Sequence, residues 1–316
     1  MRASADITST ATPGSAVRRP FGVPPIVPAV RRRRLFDSPI ALVETLTCAG
    51  ERRAIASEGF SADFQVCLPY RGLFIWHVGE DDVVGDTNQV LFVSGGEAYR
   101  LSDPLPGGYS ELILTPDPEV LSELASDTNL AAHPLFRRRS RRADPCLQRM
   151  RARMLRWANA GDRDDEAGDE VVLGLLRSAL GAGPVVPQPS SSTRRLIRRT
   201  KEFLEAHLAA PLRLRDVARA VGASPAYLTD VFRRVEGVPL HQYVIQLRLS
   251  RALVELPHAS DLTRLAFDLG FSSHSHFAAA FRRAFGCTPS AFREEGQGKG
   301  AGRRRSSPSS PLRNQW

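Results

Sequence analysis

Between residues 38 and 116 the chain alternates short apolar bursts with polar breaks. "IALVETLT", "DFQVCL", "GLFIWHVG", "NQVLFVS" and "YSELILT" are rich in Val, Ile, Leu and Phe and are separated by Gly, Asp and Pro. β-branched and aromatic residues favour extended backbone, so this pattern predicts several short strands closed into a small barrel or sandwich. From Pro116 the period changes. "PDPEVLSELAS" opens with an Asp-Pro start and takes helical spacing. "PCLQRMRARMLRWANA" (145–160) puts Leu147, Met150, Met154 and Trp157 on one helical face, and "DEVVLGLLRSAL" (169–180) follows with a similar face. The stretch "GAGPVVPQPSSST" has no periodicity and reads as a linker, taken as residues 183–193. Beyond it the pattern is helical to residue 294.

That helical part contains an internal repeat. "VARAVGASPAYLTDVFRRVEGVPLHQY" (217–243) matches "LAFDLGFSSHSHFAAAFRRAFGCTPSAF" (265–292) with a one-residue insertion. Ala218 pairs with Ala266, Gly222 with Gly270, Leu228 with Phe277 and Phe232 with Phe281, each of the last two preceding an Arg-Arg pair. Each copy reads as helix, tight turn, helix. In the first, Leu214, Val217, Ala218 and Val221 form an apolar face that stops at Gly222, a residue suited to a left-handed helix end. Ser224 is the expected N-cap and Pro225 the first helical position, where its missing N–H costs nothing. In the second, Ser272 is the expected cap, and Phe277, Phe281 and Phe285 form the core face. Between the copies, "LHQYVIQLRLSRALVEL" (240–256) predicts a connecting helix roughly 25 Å long. Two helix-turn-helix units on a rigid rod can present two helices at a spacing comparable to one DNA turn, about 34 Å.

Residues 194–293 resemble the two-motif DNA-binding domain of the AraC/XylS transcription regulators. The resemblance rests on "LRDVARAVGASPAYLTDVFRR" (214–234), "RLSRALVEL" (248–256) and "GFSSHSHFAAAFRRAFGCTPSAFR" (270–293). The strand-rich part resembles, more weakly, the cupin-like sensing domain that such regulators carry. The implied architecture is α+β: an N-terminal β-rich, cupin-like barrel with accessory helices, then an all-α domain of two helix-turn-helix motifs joined by a connector helix. Its expected divisions are a disordered basic tail (1–36), a ligand-sensing or dimerisation domain (37–182), the linker (183–193), the DNA-binding domain (194–294) and a second basic tail (295–316). Helices between 145 and 182 either pack on the barrel or pair two copies.

The resemblance implies base-facing positions at Ala226, Thr229 and Asp230 in the first motif, and at Ser273, His274, Ser275, Ala278 and Ala279 in the second. Arginine is common in the family at the positions of Asp230 and Ala279, and arginine to guanine is the commonest direct contact. Its absence points to readout through Thr229, His274, alanine–thymine methyl contacts and DNA shape. Asp230 could accept from a cytosine amine or serve only in a cap or ion pair. Arg233, Arg234, Arg282 and Arg283 lie late in the recognition helices, and Arg248 and Arg251 lie on the connector. Phosphate contact is expected for some of them, a solvated basic face for the rest. Double-stranded DNA is the implied partner, with RNA polymerase, a small-molecule effector and a second copy of the chain as further partners, and the implied role is that of an activator.

Composition sharpens this picture. The formal net charge is +9, and between 194 and 294 basic residues outnumber acidic ones roughly two to one. Lys201 and Lys299 are the only lysines, a skew that codon bias can also produce. No apolar run approaches the roughly 20 residues of a membrane span, and the apolar stretch near the N-terminus is broken by Pro24, Pro25 and Pro28, unlike a signal peptide. A cytoplasmic protein with reduced cysteines is expected: Cys48, Cys67, Cys146 and Cys287 are scattered without metal-ligand spacing. His274 and His276, two apart on a helix, point about 200° from one another and cannot share an ion. No nucleophile elbow, zinc-protease or phosphate-loop motif is present, so no catalytic residue, metal or cofactor is assigned. The rival readings are a metal-dependent cupin-type enzyme, which has only His77 among the strands and His133 beyond them, and an adaptor that no longer binds DNA, which Asp230 and Ala279 keep open.

Overall fold

A computed structural model describes residues 30–50, 58–126, 139–160, 164–181 and 189–297. The strands are β1 (Val30–Asp37), β2 (Ala41–Cys48), β3 (Glu58–Ser61), β4 (Gln65–Arg71), β5 (Phe74–Val78), β6 (Asp81–Gly85), β7 (Gln89–Val93), β8 (Glu97–Ser102), β9 (Tyr109–Pro116) and β10 (Ser140–Arg142). They form a six-stranded sheet in the order β1-β2-β9-β4-β7-β10 and a four-stranded sheet in the order β3-β8-β5-β6, with antiparallel pairing throughout. The sheets face one another across a core in which Cys67, Leu91 and Ile113 of the larger meet Phe74, Trp76 and Val83 of the smaller. The other face of the larger sheet is covered by helices α2 (Pro145–Ala158) and α3 (Asp165–Leu180); Val66, Val90 and Leu112 pack there against Leu147, Met154 and Leu176. A further helix, α1 (Pro118–Ser126), follows β9. Burial on both faces is why β7 and β9 read as unbroken apolar runs.

Three expected boundaries move. The tail expected over 1–36 gives way to β1 from Val30, because its arginines pair in register with β2, Arg32 bonds Glu44 at 2.7 Å, and Leu35 and Phe36 are buried. Residues 1–29 lie outside the described residues. The helical unit begins at Ser191, where the linker was expected to run to 193, because Ser190 accepts the Thr193 N–H and caps the helix; 182–188 lie outside the described residues. Its last helix runs to Gln297, past the expected end at 294, and 298–316 lie outside the described residues. His133 is likewise not among them.

The helical unit comprises α4 (Ser191–Ala206), α5 (Leu214–Val221), α6 (Pro225–Glu236), α7 (Leu240–Glu255) with a 3-10 turn at Leu256–His258, α8 (Leu262–Asp268), α9 (His274–Phe285) and α10 (Pro289–Gln297). It holds two cores. Leu204, Val217, Leu228, Phe232 and Tyr243 make the first; Leu253, Leu265, Phe277, Phe281 and Phe292 make the second. Helix α7 contributes to both, so the expected connector is a shared wall as well as a spacer.

The strand-rich and helical units are joined by a buried polar seam. Between β6 and β7, Asp86 accepts from the Tyr243 hydroxyl at 2.6 Å, and Asn88 donates to the Tyr243 carbonyl at 3.1 Å. Lys201 sits between Glu236 at 2.9 Å and Asp86 at 3.5 Å, all three almost wholly buried. Burial works against the lysine charge, but the two carboxylates outweigh it and hold the Lys201 pKa above its ordinary value. Helix α2 is the second fastening. Arg151, 2% exposed, donates to the Ser250 hydroxyl at 2.7 Å and to the Pro69 and Thr87 carbonyls. Burial lowers its pKa to about 9, which leaves it charged at neutral pH.

Candidate nucleic-acid interface

The first motif is α5, turn, α6. Val217, Ala218 and Val221 are buried, and Gly222 ends α5 at φ 72° and ψ 38°. A side chain would be strained in that left-handed conformation, which glycine adopts freely. Ser224 then accepts the Tyr227 N–H at 3.2 Å and Pro225 opens α6, as the sequence predicts. With Leu228, Val231 and Phe232 turned inward, the exposed side of α6 consists of Ala226, Tyr227, Thr229, Asp230, Arg233 and Arg234.

The second motif, α8, turn, α9, repeats this with a different closure. Gly270 is left-handed at φ 86°, and an added Cβ would strike the Leu208 carbonyl and the Arg248 guanidinium. The expected cap Ser272 is replaced by its neighbour. Ser273 accepts the His276 N–H at 3.1 Å, while the Ser272 hydroxyl meets His276 Nδ1 at 3.2 Å. With two adjacent serines the extra residue in this turn decides which one reaches the cap. Phe277, Phe281 and Phe285 are buried, and His274, Ser275, His276, Ala279, Arg282 and Arg283 are exposed, with Ala278 partly covered.

The two recognition faces therefore bring together most of the expected positions, in different chemical states. Thr229 donates its hydroxyl to the Pro225 carbonyl at 2.8 Å, and Asp230 forms an ion pair with Arg234 one turn later on the same helix. Ser273 holds its cap, whereas the side chains of His274 and Ser275 have no hydrogen-bond partner among the described residues. Arg233, Arg282 and Arg283 are exposed and unpaired among the described residues.

Two expected phosphate arginines are oriented otherwise. Arg248 donates to the Leu208 and Ala210 carbonyls at 3.0 and 2.8 Å, closing the turn after α4, so its guanidinium serves the fold. Arg251 pairs with Glu255 at 2.9 Å and lines a cleft against Tyr70 and Arg71 of the strand-rich unit. Both lie on α7, whose cylinder is surrounded on several sides, and spacing alone does not show which side an arginine leaves. In the other direction, sequence reasoning passed over Tyr227, which is 54% exposed beside Ala226. An aromatic flanking a core leucine at an otherwise polar helical position was the available signal.

His77 is held between Asp82 at 2.6 Å and Ser102 at 2.8 Å, and Asp82 also takes Arg198 from α4 at 2.8 Å. Among the described residues no group of three or more His, Cys, Asp or Glu side chains is placed to hold a metal ion. No described helix is long and apolar enough to cross a membrane.

Two capped helix-turn-helix units with solvent-facing, cation-bearing second helices share one rod, the arrangement of a double helix-turn-helix domain. Comparison with known proteins agrees. Residues 217–295 match a family model described as a helix-turn-helix domain. Regulatory protein SoxS of Salmonella typhimurium is 37% identical over 103 residues, covering 32% of this chain and 96% of SoxS. The Msm operon regulatory protein of Streptococcus mutans is 31% identical over 110 residues, covering 34% of this chain and 39% of that protein. A solved transcriptional regulator from Chromobacterium violaceum, described as an AraC-type DNA-binding domain-containing protein, is 28% identical over 35% of this chain and all of its own, with a TM-score of 0.32. The chain belongs to the AraC/XylS family of DNA-binding transcription regulators. The match spans under half of the longer relatives, and the residues matched by the family model lie in the helical unit.

Proposed function

We propose that this protein is a sequence-specific transcription regulator that lays α6 and α9 into successive major-groove segments on one face of DNA. The observation that carries the reading is the pair of exposed recognition faces on helices tied to the single rod α7. A rod of 16 residues is about 24 Å long, and packing α6 and α9 around its two ends suits a separation near one helical turn. In this reading His274, Ser275, Ala278 and Ala279 face bases in one segment and Ala226, Thr229 and Asp230 in the other, with Ser273 setting the start of α9. Arg233, Arg282 and Arg283 meet phosphates, and Arg234 does so once it leaves Asp230. Residues 37–182, with β1 added, form the sensing unit and 194–294, extended to its observed ends, the reading unit. Effector response, activation through RNA polymerase and pairing of two copies belong to the same proposal, supported by family membership.

In vitro selection of random duplex DNA by the full chain tests it. Enrichment of two short motifs about 10–10.5 base pairs apart supports the reading. A folded protein that enriches a single motif, or none at low salt, overturns the two-helix docking.

A further inference from the structure

Several arginines to which the regulator reading gives no role gather on one flank of the first motif. Helix α4 carries two pairs of them, and residues four apart are neighbours on one helix face. Arg194 and Arg198 face the strand-rich unit, where Asp81 and Asp82 of β6 meet them at 3.8 and 2.8 Å. Arg195 and Arg199 leave the helix on an exposed side. Arg199 donates to the Ala220 carbonyl at 3.2 Å, which places this side of α4 against the end of α5. The exposed surface of α5 and its N-cap adds Arg213, Arg215 and Arg219. The carboxylates nearby are already engaged, Glu202 by Arg198 at 3.6 Å and Asp216 by Arg215 at 3.8 Å. Arg195, Arg213 and Arg219 have no partner among the described residues.

The repeat shows that the motif folds without this charge. Val217, Ala218 and Val221 are buried in the first copy as Leu265, Ala266 and Leu269 are in the second. Yet at the positions matching Arg213, Arg215 and Arg219 the second copy has Asp261, Thr263 and Phe267. Arg264 of α8 pairs with Asp268 at 3.7 Å. The reading helices show the opposite bias. Arg282 and Arg283 are both unpaired on α9 among the described residues, whereas on α6 Asp230 holds Arg234.

The flank also lies beside the end of α6 that would enter the groove. Ala220 is in the last turn of α5, just before Ser224, the N-cap of α6. An α-helix with its side chains is roughly 10–12 Å across and the major groove about 12 Å wide. A helix seated there leaves no room for its neighbours, so cations flanking its entering end meet the sugar-phosphate edge instead of the bases. We propose that the α4–α5 flank, centred on Arg195, Arg199 and Arg219, binds phosphates of the DNA backbone bordering the first motif's groove segment. The first motif then anchors the duplex through its flank and the second through its reading helix. This inference rests on the regulator reading and adds affinity that is independent of sequence.

The test compares the full chain with Arg195→Ala plus Arg219→Ala, on the selected duplex and on a scrambled one, over a range of salt. Neither side chain has a partner among the described residues, so the fold should stand, and urea unfolding checks that it does. Affinity should fall by the same factor on both duplexes. The salt slope should flatten by about 0.9 for each phosphate no longer neutralised. Phosphate-ethylation interference should vanish beside the first motif's bases and persist beside the second's. Arg195→Lys plus Arg219→Lys, which keeps the charges, should restore the slope. Unchanged affinity and slope in the alanine variant, while the wild type binds, overturns the site and leaves the regulator reading standing. So does a loss confined to the selected duplex, or a slope that lysine does not restore. A folded wild-type chain that binds neither duplex removes the regulator reading itself, and this site with it.

Discussion

The two helix-turn-helix units share a pattern of buried positions yet are fastened differently. The first is held through side chains: Lys201, Glu236 and Tyr243 meet Asp86 and Gln89 of the strand-rich unit, with Gln89 donating to Glu236 at 3.0 Å. The second is held largely at backbone carbonyls, with Glu295 also pairing with Arg149 at 3.4 Å. Arg149 and Arg156 of α2 donate to the Phe285 and Phe292 carbonyls at 2.7 and 2.8 Å, and the Arg156 guanidinium lies 4.0 Å from the Phe292 ring centre. Phe285 ends α9, where a cation satisfies a carbonyl that the helix itself leaves open. The first unit thus depends on a buried charge balance, and the second on partly exposed contacts that single substitutions weaken only modestly. Their exposed faces differ too: α6 carries a self-paired Asp230–Arg234, α9 a pair of arginines unpaired among the described residues.

The sharpest way to break this comparison is at Lys201. Lys201→Met leaves Asp86 and Glu236 buried without their cation, which typically costs about 3–5 kcal/mol. Arg149→Ala should cost far less, because its end is partly exposed. Urea unfolding of both variants checks this; a comparable loss in the two would erase the distinction. On DNA, Arg282→Ala with Arg283→Ala should lower affinity for all sequences and flatten the salt dependence, by about 0.9 in slope for each phosphate no longer neutralised. Arg234→Ala should change it less, since that arginine is already paired.

Within the reading faces the expected effects are smaller and more specific. His274→Ala should relax preference at one base position by about 1–3 kcal/mol, read from binding to single-base variants of the selected site. A uniform loss across those variants would assign His274 to the backbone instead. Asp230→Ala should raise affinity and steepen the salt slope by freeing Arg234; a fall in affinity would mean that Asp230 itself reads a base.

A further effect is one of pH and lies in the strand-rich unit. Burial raises the Glu111 carboxyl from 4.5 to about 7, with Arg32 opposing. A folded-state pKa above the unfolded one gives stability that is complete below about 4.5 and declines as pH rises through about 7. Glu111→Gln should flatten stability across that window, measured by unfolding at pH 5 and pH 8, while leaving the reading faces untouched.

How legible these features were follows from their range along the chain. The reading module announced itself through Gly222, the Ser224-Pro225 start, the three phenylalanines of α9 and the repeat, all local marks of helix ends and faces. Five strands were visible because they are apolar. β1, "VRRRRLFD", was hidden because its pairing with β2, and not its own composition, makes it a strand. The seam left no trace: Tyr243 and Asp86 are 157 residues apart, and each alone is an ordinary residue. Arg248 and Arg251 look like surface cations in sequence, and only the packing of α7 shows one turned to the Leu208 and Ala210 carbonyls and the other to the cleft.

The central claim is that both reading helices engage one face of DNA together. Hydroxyl-radical footprinting of the full chain on its selected site, at two salt concentrations, tests it most directly. The account predicts two protected patches about one helical turn apart that fade together as salt rises. One patch that persists unchanged while the other never forms would show a single working reader and contradict it.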